Sequence, residues 1–441
     1  MKLFFFLIIL IFLGSCSFDN KSGIWNNENS ATSKDDNIFK DFKKISSYNE
    51  EFNKIISINP TFNFRIKRPY QNNSWHDVFF DKNNNVKNLK YKNSNELIFK
   101  SKRLTKHRIN NQTLFDDNNY ILNDEQGNII VYPINEKSTV NKFNFYKKRY
   151  KKIKKKLNLA VENDVIFVSD NIGYIYAYNH KSNRVLWAKN FKVPFRSNIK
   201  LSSKNLIAAN QNNDLYILEK NTGNLKKQIP SEETNINNQF SNSIVLGNQE
   251  IFFLNTYGSL YSIDEKNFKI NWFINLNQSL NLNINNLFFG NDLVYHDNYI
   301  LVSSNNNFYI FDSKTGSIKY KKNFSSFLKP ILNNNYIFLI SKNNLLIAMD
   351  LLNGKIIYSY DIAESVSKFL NTKKKELEIL NFYMVNNKIF IFLKNSYVIQ
   401  LDIKGVIDKI IKLPSSLSSH PIVVKSLLLY LNKKNNILLV N

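Results

Sequence analysis

Residues 165–187 read VIFVSDNIGYIYAYNHKSNRVLW. An apolar run meets a turn at Gly173, a second apolar run follows, and after a polar turn a last strand ends on Trp187. The phrase recurs as IFFLNTYGSLYSIDEKNFKINW at 251–272, ILVSSNNNFYIFDSKTGSIKY at 300–320 and IFLISKNNLLIAMDLLNGKIIY at 337–358. Anchoring on the small residue of the middle turn aligns Gly127, Gly173, Asn213, Gly258, Asn306, Asn344 and Ser396. The intervals are 46, 40, 45, 48, 38 and 52. A period of about 45 built from short strands predicts the four-stranded blades of a β-propeller. Asparagine stands in for glycine because both tolerate the left-handed backbone of tight hairpins.

The copy at 427–441 (LLLYLNKKNNILLVN) stops in mid-blade. A strand from elsewhere must complete it, and ELIFKSKRL at 96–104 is the candidate. The expectation is therefore an all-β, eight-bladed propeller over 95–441, with seven blades as the nearest alternative. Aspartates at 264, 312, 350 and 402 recur once per repeat. They read as hairpin residues bonded to nearby amides, not as catalytic carboxylates.

Ahead of the repeats, MKLFFFLIILIFLGSC joins a positive n-region at Lys2 to an apolar stretch, Leu3 to Leu13. It ends at Cys16, the single cysteine of the chain. Leu13-Gly14-Ser15-Cys16 resembles a bacterial lipobox, which implies a signal peptide over 1–15 and acylation of Cys16. Lipoprotein sorting then favours the periplasmic face of the outer membrane, because Ser17 stands where inner-membrane retention calls for aspartate. One cysteine excludes disulfides within the chain and zinc–thiolate sites. Residues 16–37 are polar and asparagine-rich and read as a flexible tether. Apolar residues at helical spacing predict an amphipathic helix over 38–60, docked on the body of the chain, with Pro60 ending it. Residues 61–94 carry Trp75 and few periodic cues, and are expected to wrap the side of the propeller.

The net charge is +25, which raises nucleic acid as a partner. No nucleic-acid-binding motif is visible, and a secreted, lipid-anchored chain does not meet nucleic acid in its compartment. The densest run, Lys147 to Lys156, has eight basic residues in ten. It reads either as attraction to anionic headgroups, about 1 kcal/mol per basic residue near a charged surface, or as a solvated loop. The five histidines (76, 107, 180, 296, 420) show no paired ligand spacing. Nucleophile-elbow, P-loop and dinucleotide patterns are absent. No catalytic, cofactor-binding or metal-binding residue is therefore assigned.

Residues 177–187 (AYNHKSNRVLW) resemble the tryptophan-docking motif of quinoprotein-type propellers, A-x-D-x-x-[ST]-G-x-x-x-W. Residues 262–272 match it with phenylalanine in the glycine place, and 310–320 and 348–358 keep Asp and Gly but end in tyrosine. The resemblance implies an aromatic laid against the neighbouring blade. Quinoprotein dehydrogenases of this superfamily add a vicinal cysteine pair and a calcium site, and the cysteine pair is missing here. Anchor, length and blade count look more like the BamB family of outer-membrane assembly lipoproteins. That resemblance implies a scaffold without a cofactor, bound to the periplasmic repeats of the central barrel subunit of the β-barrel assembly complex. By blade order the matching loops are 233–242 and 283–297. The alternatives are a divergent quinone-dependent oxidoreductase and a lipoprotein that binds an envelope ligand.

Overall fold

Each apolar run of the repeat becomes a strand buried on both faces, because every sheet is sandwiched between two others. A computed structural model describes residues 17–18, 25–26, 52–135, 140–233, 240–277 and 288–441. In residues 1–50, Ser17–Phe18 pairs antiparallel with Trp25–Asn26 inside the stretch expected as a tether. Cys16 and the rest of that unit lie outside the described residues.

From residue 51 onward the chain forms eight four-stranded antiparallel blades. Blade 2 is typical: Leu157–Glu162, Val165–Asp170, Tyr174–Asn179 and Arg184–Asn190, paired in sequence order. Blade 1 spans 114–144, blade 3 200–229, blade 4 243–275, blade 5 294–322, blade 6 331–361 and blade 7 379–412. Blade 8 takes three strands from 422–440 and its outermost strand from Leu97–Lys100, paired with Ile437–Val440. Eight blades and this closing strand match the sequence reading. Second and third strands are buried nearly throughout, whereas an outer strand such as Leu225–Ile229 is exposed along four of its five residues. The core is thus a ring of inter-blade layers, for example Ile207, Ile217, Ile244 and Ile263 between blades 3 and 4.

Turn chemistry follows the expected grammar with one departure. Gly127, Gly173, Asn213, Gly258, Asn344 and Ser396 all have positive φ, and Asn435 adds the eighth blade, but Asn306 does not. The aspartates of the later turn close their hairpins: Asp264 Oδ1 accepts from the amides of Lys266 and Asn267 at 2.9 and 2.8 Å. Asp402 does the same for Lys404 and Val406.

The docking aromatics join one blade to the next. Trp272 of blade 4 lies on Gly316 in the last turn of blade 5, and its Nε1 donates to the Ser313 carbonyl at 3.0 Å. Trp187 sits likewise on Gly223 of blade 3 and donates to Lys220 O at 3.0 Å. Tyr320 on Gly354 continues the pattern, and Tyr360 with Tyr358 covers Gly405; the hydroxyls of Tyr320 and Tyr358 bond Leu352 O and Ile403 O. Where the aromatic fails, the glycine fails with it. Blade 3 carries Lys227 at that position, opposite Ile217, and the turn of blade 4 supplies its own ring, Phe268 at φ 59°. Phe268 packs into the layer between blades 3 and 4. At the seam of blades 1 and 2, Asn141 replaces the tryptophan. Its Nδ2 still reaches the His180 carbonyl at 3.1 Å, and the turn residue is Asn183 at φ 54°.

Two expectations ahead of the blades are corrected. Residues 52–60, the described part of the stretch read as a helix, are extended: Ile56 bridges Ser359 on the outer strand of blade 6. The unpaired edge of that strand offers backbone partners that helical spacing in the sequence does not reveal. Residues 38–51 lie outside the described residues. The segment after residue 70 does not wrap the side. It enters the axis of the ring and meets the inner strand, or the turn after it, of all eight blades in turn. Asn72 donates to Val423 O of blade 8 at 3.1 Å, Trp75 bridges Phe115 of blade 1, and Asp77 bridges Ala160 of blade 2. Lys200 of blade 3 donates to Asp77 Oδ2 at 2.7 Å, to Asp81 O at 2.8 Å and to Asn84 Oδ1. Lys82 O and Asn83 O accept from Leu246 N of blade 4 and Tyr295 N of blade 5 at 2.8 and 3.0 Å. Asn85 bonds Leu332 of blade 6, and Asn88 bonds Asn387 of blade 7. Every contact is made to a different blade end, so the segment carries no apolar period.

Two outcomes test these contacts. Trp272→Ala lowers stability by about 3 kcal/mol. Gly316→Ala puts a Cβ 2.7 Å from the indole at φ +72° and costs more in the parent than in the Trp272→Ala background. There only the left-handed strain of about 1 kcal/mol remains. A double-mutant cycle on denaturation midpoints measures the difference, and additive effects count against the contact. Lys200→Met strips the fully buried cation from Asp77, at a cost of about 3 kcal/mol. It also exposes residues 70–92 to limited proteolysis, and an unchanged cleavage pattern refutes the axial lock.

Candidate functional site

The plug of residues 70–92 closes the end of the axis at which first and second strands turn, here the lower end. At the upper end, where the chain passes from blade to blade, a cavity of about 230 Å³ remains. Its floor is the plug itself: Trp75, Val78, Phe79 and Val86. Its wall comes from residues that lead into or lie on inner strands, among them Gln112, Thr113, Asp292, Lys329, Tyr383 and His420. Phe327 stands at the rim, 58% exposed. Trp75 meets Phe80 and Tyr383 edge to face at 5.0 and 5.8 Å, which fixes the aromatic floor.

Two charges face this cup. Lys329 Nζ donates to Phe79 O and Asn84 O at 3.2 and 3.1 Å and lies 4.6 Å over the Phe79 ring. Burial pushes this ammonium down to about 8 although Asp292 opposes the shift. Burial likewise pushes the Asp292 carboxyl up to about 6 against Lys329 and Lys200. Asp81, below them, is raised by burial, with Lys200 pulling the other way. Burial, and then Lys329, pushes the His420 imidazole down to about 4. Low permittivity therefore favours the neutral forms, and the opposite charges nearby, Lys329 and Lys200 for Asp292 and Asp292, Asp77 and Asp81 for Lys329, oppose it.

The cup does not offer a calcium seat. Calcium takes six to eight oxygen ligands, and Asp292 is the one carboxylate that lines the cup. Among the described residues no group of three or more His, Cys, Asp or Glu side chains is placed to hold a metal. Nor is a nucleophile paired with a base. Thr113 accepts from the Tyr120 hydroxyl at 2.9 Å, and His420 Nδ1 lies 3.3 Å from the Asn381 amide.

The histidines disperse as their spacing implied, with two exceptions that the sequence did not reveal. His180 is buried at the seam of blades 1 and 2, 3.7 Å from Asp164, and His76 of the plug meets Asp116 close by at 2.9 Å. His296 sits 3.2 Å from Asp297.

Of the two loops singled out by blade order, residues 234–239 and 283–287 lie outside the described residues. Their described flanks meet on the upper rim, where Phe240 and Phe288 contact edge to face at 5.2 Å. Glu232 pins the base of the first loop, accepting from the hydroxyls of Tyr261 and Ser259 at 2.6 and 3.0 Å. The second loop ends earlier than blade order implies. Val294–His296 is the inner strand of blade 5, and Asp297 turns at the lower end. The plug and cup residues were missed altogether. One signal was legible: Lys200, a lysine between Ile199 and Leu201 at an inner-strand position.

Comparison with known proteins follows the same lines. Among curated proteins none matches the chain. Among solved structures it resembles BamB from Moraxella catarrhalis, with a TM-score of 0.62 at 13% identity, over 78% of this chain and 99% of that one. It also resembles a quinohemoprotein alcohol dehydrogenase from Comamonas testosteroni, with a TM-score of 0.59 at 10% identity, over 81% and 76%. A computationally designed protein, Ika8, gives 0.58 at 10% identity, over 78% and 99%. Identities this low establish the shared propeller fold and nothing finer. The family described as outer membrane protein assembly factor BamB matches residues 134–360, just over half of the 441 residues. With the repeat grammar and the eight-bladed ring in agreement, the chain belongs to the BamB family of quinoprotein-type propellers.

Proposed function

We propose that the chain is a non-enzymatic, lipid-anchored scaffold that assists assembly and insertion of β-barrel proteins in the outer membrane. The observation that carries this reading is the plugged axis. Residues 70–92 occupy the lower end, and the cup above them has one carboxylate and no paired nucleophile. Surfaces for large partners are then the loops on the rim, which suits a protein that positions other proteins. Acylated Cys16 would hold it at the periplasmic face, and the loops 233–242 and 283–293 would meet the periplasmic repeats of the central barrel subunit. Membership of the BamB family supports this partner class.

Crosslinking in intact cells, followed by purification of the tagged full-length chain from membranes, tests the reading. The central barrel-assembly subunit is expected among the crosslinked partners. Cys16→Ser is expected to move the protein into the soluble periplasmic fraction and to reduce that recovery severalfold. A membrane-bound parent chain that never captures the subunit overturns the proposal.

A further inference from the structure

The upper rim is electrically lopsided. The three successive inter-blade loops at 101–113, 145–156 and 191–199 hold four, eight and two Lys or Arg residues and not one Asp or Glu. The next two loops around the ring, 230–242 and 276–293, hold no Lys or Arg and three acidic residues, Glu232, Glu233 and Asp292. The cations are therefore densest on one arc, from blade 8 to blade 3; the loop between blades 6 and 7 at 362–378 holds four more lysines, but three glutamates offset them.

The arc is built and held. Within the middle loop Lys155 is only 2% exposed and turns inward, its Nζ donating to Tyr150 O at 2.6 Å. Tyr146 anchors the start of the loop through its hydroxyl to Asp170 Oδ2 at 2.6 Å. Asn171 clamps the end, donating to Lys154 O at 3.0 Å and accepting from Lys156 N at 2.8 Å. Backbone bonds tie neighbours together: Glu125 N donates to Arg108 O, Lys155 N to Glu125 O, and Phe195 N to Asp170 O. With Lys155 spent as an internal strut, Lys147, Lys148, Lys151, Lys152 and Lys156 point to solvent, and Lys154, also exposed, pairs with Glu125 at 3.3 Å. Among them Ile153, an apolar side chain, is 44% exposed.

We infer that this arc is a docking surface for an anionic phospholipid bilayer, with the 147–156 loop seated among headgroup phosphates and Ile153 directed at the acyl boundary. A broad, predominantly cationic array, in which Glu125 beside Lys154 at 3.3 Å is an acidic neighbour, suits a laterally mobile sheet of phosphates better than a single protein partner, whose interface mixes both signs. An apolar residue at the centre of the cations adds the amphipathic character of an interfacial contact. Such docking would set the orientation of the upper rim relative to the membrane. It is independent of whether the chain serves barrel assembly.

The test is co-flotation of the full-length protein, added from dilute detergent, with phosphatidylcholine vesicles that contain or lack phosphatidylglycerol. The apolar leader contributes to both vesicle types alike, so the ratio of the two affinities reports the arc. Phosphatidylglycerol is expected to strengthen binding by at least about tenfold at low salt, with the gain fading at high salt. The quadruple variant K147Q/K148Q/K151Q/K152Q is expected to lose that gain. A matched variant on the lower end, K266Q/K269Q/K314Q/K355Q, removes equal charge from exposed turns and is expected to keep it. Equal binding of the parent chain to both vesicle types overturns the inference, and points to an acidic protein or simple solvation for the arc. Equal loss in the two quadruple variants overturns it as well, since net charge alone would then account for binding.

Discussion

An aromatic ring laid on a left-handed glycine is the contact on which the ring of blades depends. A planar side chain can approach the backbone of the next blade only where no Cβ intervenes, and only a turn with positive φ presents its backbone that way. The indole N–H or the phenol O–H then satisfies a turn carbonyl that would otherwise face an apolar seam. Two seams without the motif show that the contact, and not the motif, is what is maintained. Where Lys227 offers no ring, Phe268 of the following blade provides one and accepts a strained backbone. Where Asn141 replaces the aromatic, its amide still reaches the carbonyl at the matching place in the next blade.

Closure at the axis obeys a different economy. Eight inner strands converge there, and their ends leave amides and carbonyls pointing at a narrow space. Asparagine and aspartate, short and rich in hydrogen-bonding atoms, are suited to satisfying them, and the stretch from Asp81 to Asn85 is DKNNN. Lys200 adds a cation where two plug carboxylates come together. A buried ion pair adds little net stability, yet it is costly to break on one side only. The arrangement therefore fixes where the plug sits more than it strengthens the fold.

Much of this was legible in the chain and some was not, for physical reasons. The blades could be read because each repeats one environment, and the period survives substitutions such as Asn213 for glycine. The closing strand could be found because a half-finished blade at the end of the chain demands a partner. The plug left no such trace: Trp75, Asp77, Asn84 and Asn88 each answer to a different blade, and irregular surroundings leave an irregular sequence. The extended run past Ile56 reads as helix in the sequence because apolar spacing cannot tell a helix face from an edge strand met by chance on its apolar side. The cup was hidden for a simpler reason. Its lining is drawn from residues as distant as Trp75 and His420, from the plug and from the approaches to blades 1, 5, 6, 7 and 8.

The position of the plug in the chain also carries a consequence for how the molecule comes into being. Residues 70–92 leave the ribosome before any blade they touch, and the last of their partners, near Val423, arrives about 330 residues later. Until then the segment has nothing to pack against. A greasy plug would be a hazard through that interval, prone to stick to other unfinished chains, whereas one made largely of asparagine, aspartate and lysine stays hydrated. The polar axis can thus be understood as an adaptation to waiting. The ring cannot shut until its final strand meets Leu97–Lys100, so the earliest part of the propeller to be made is among the last to find its place.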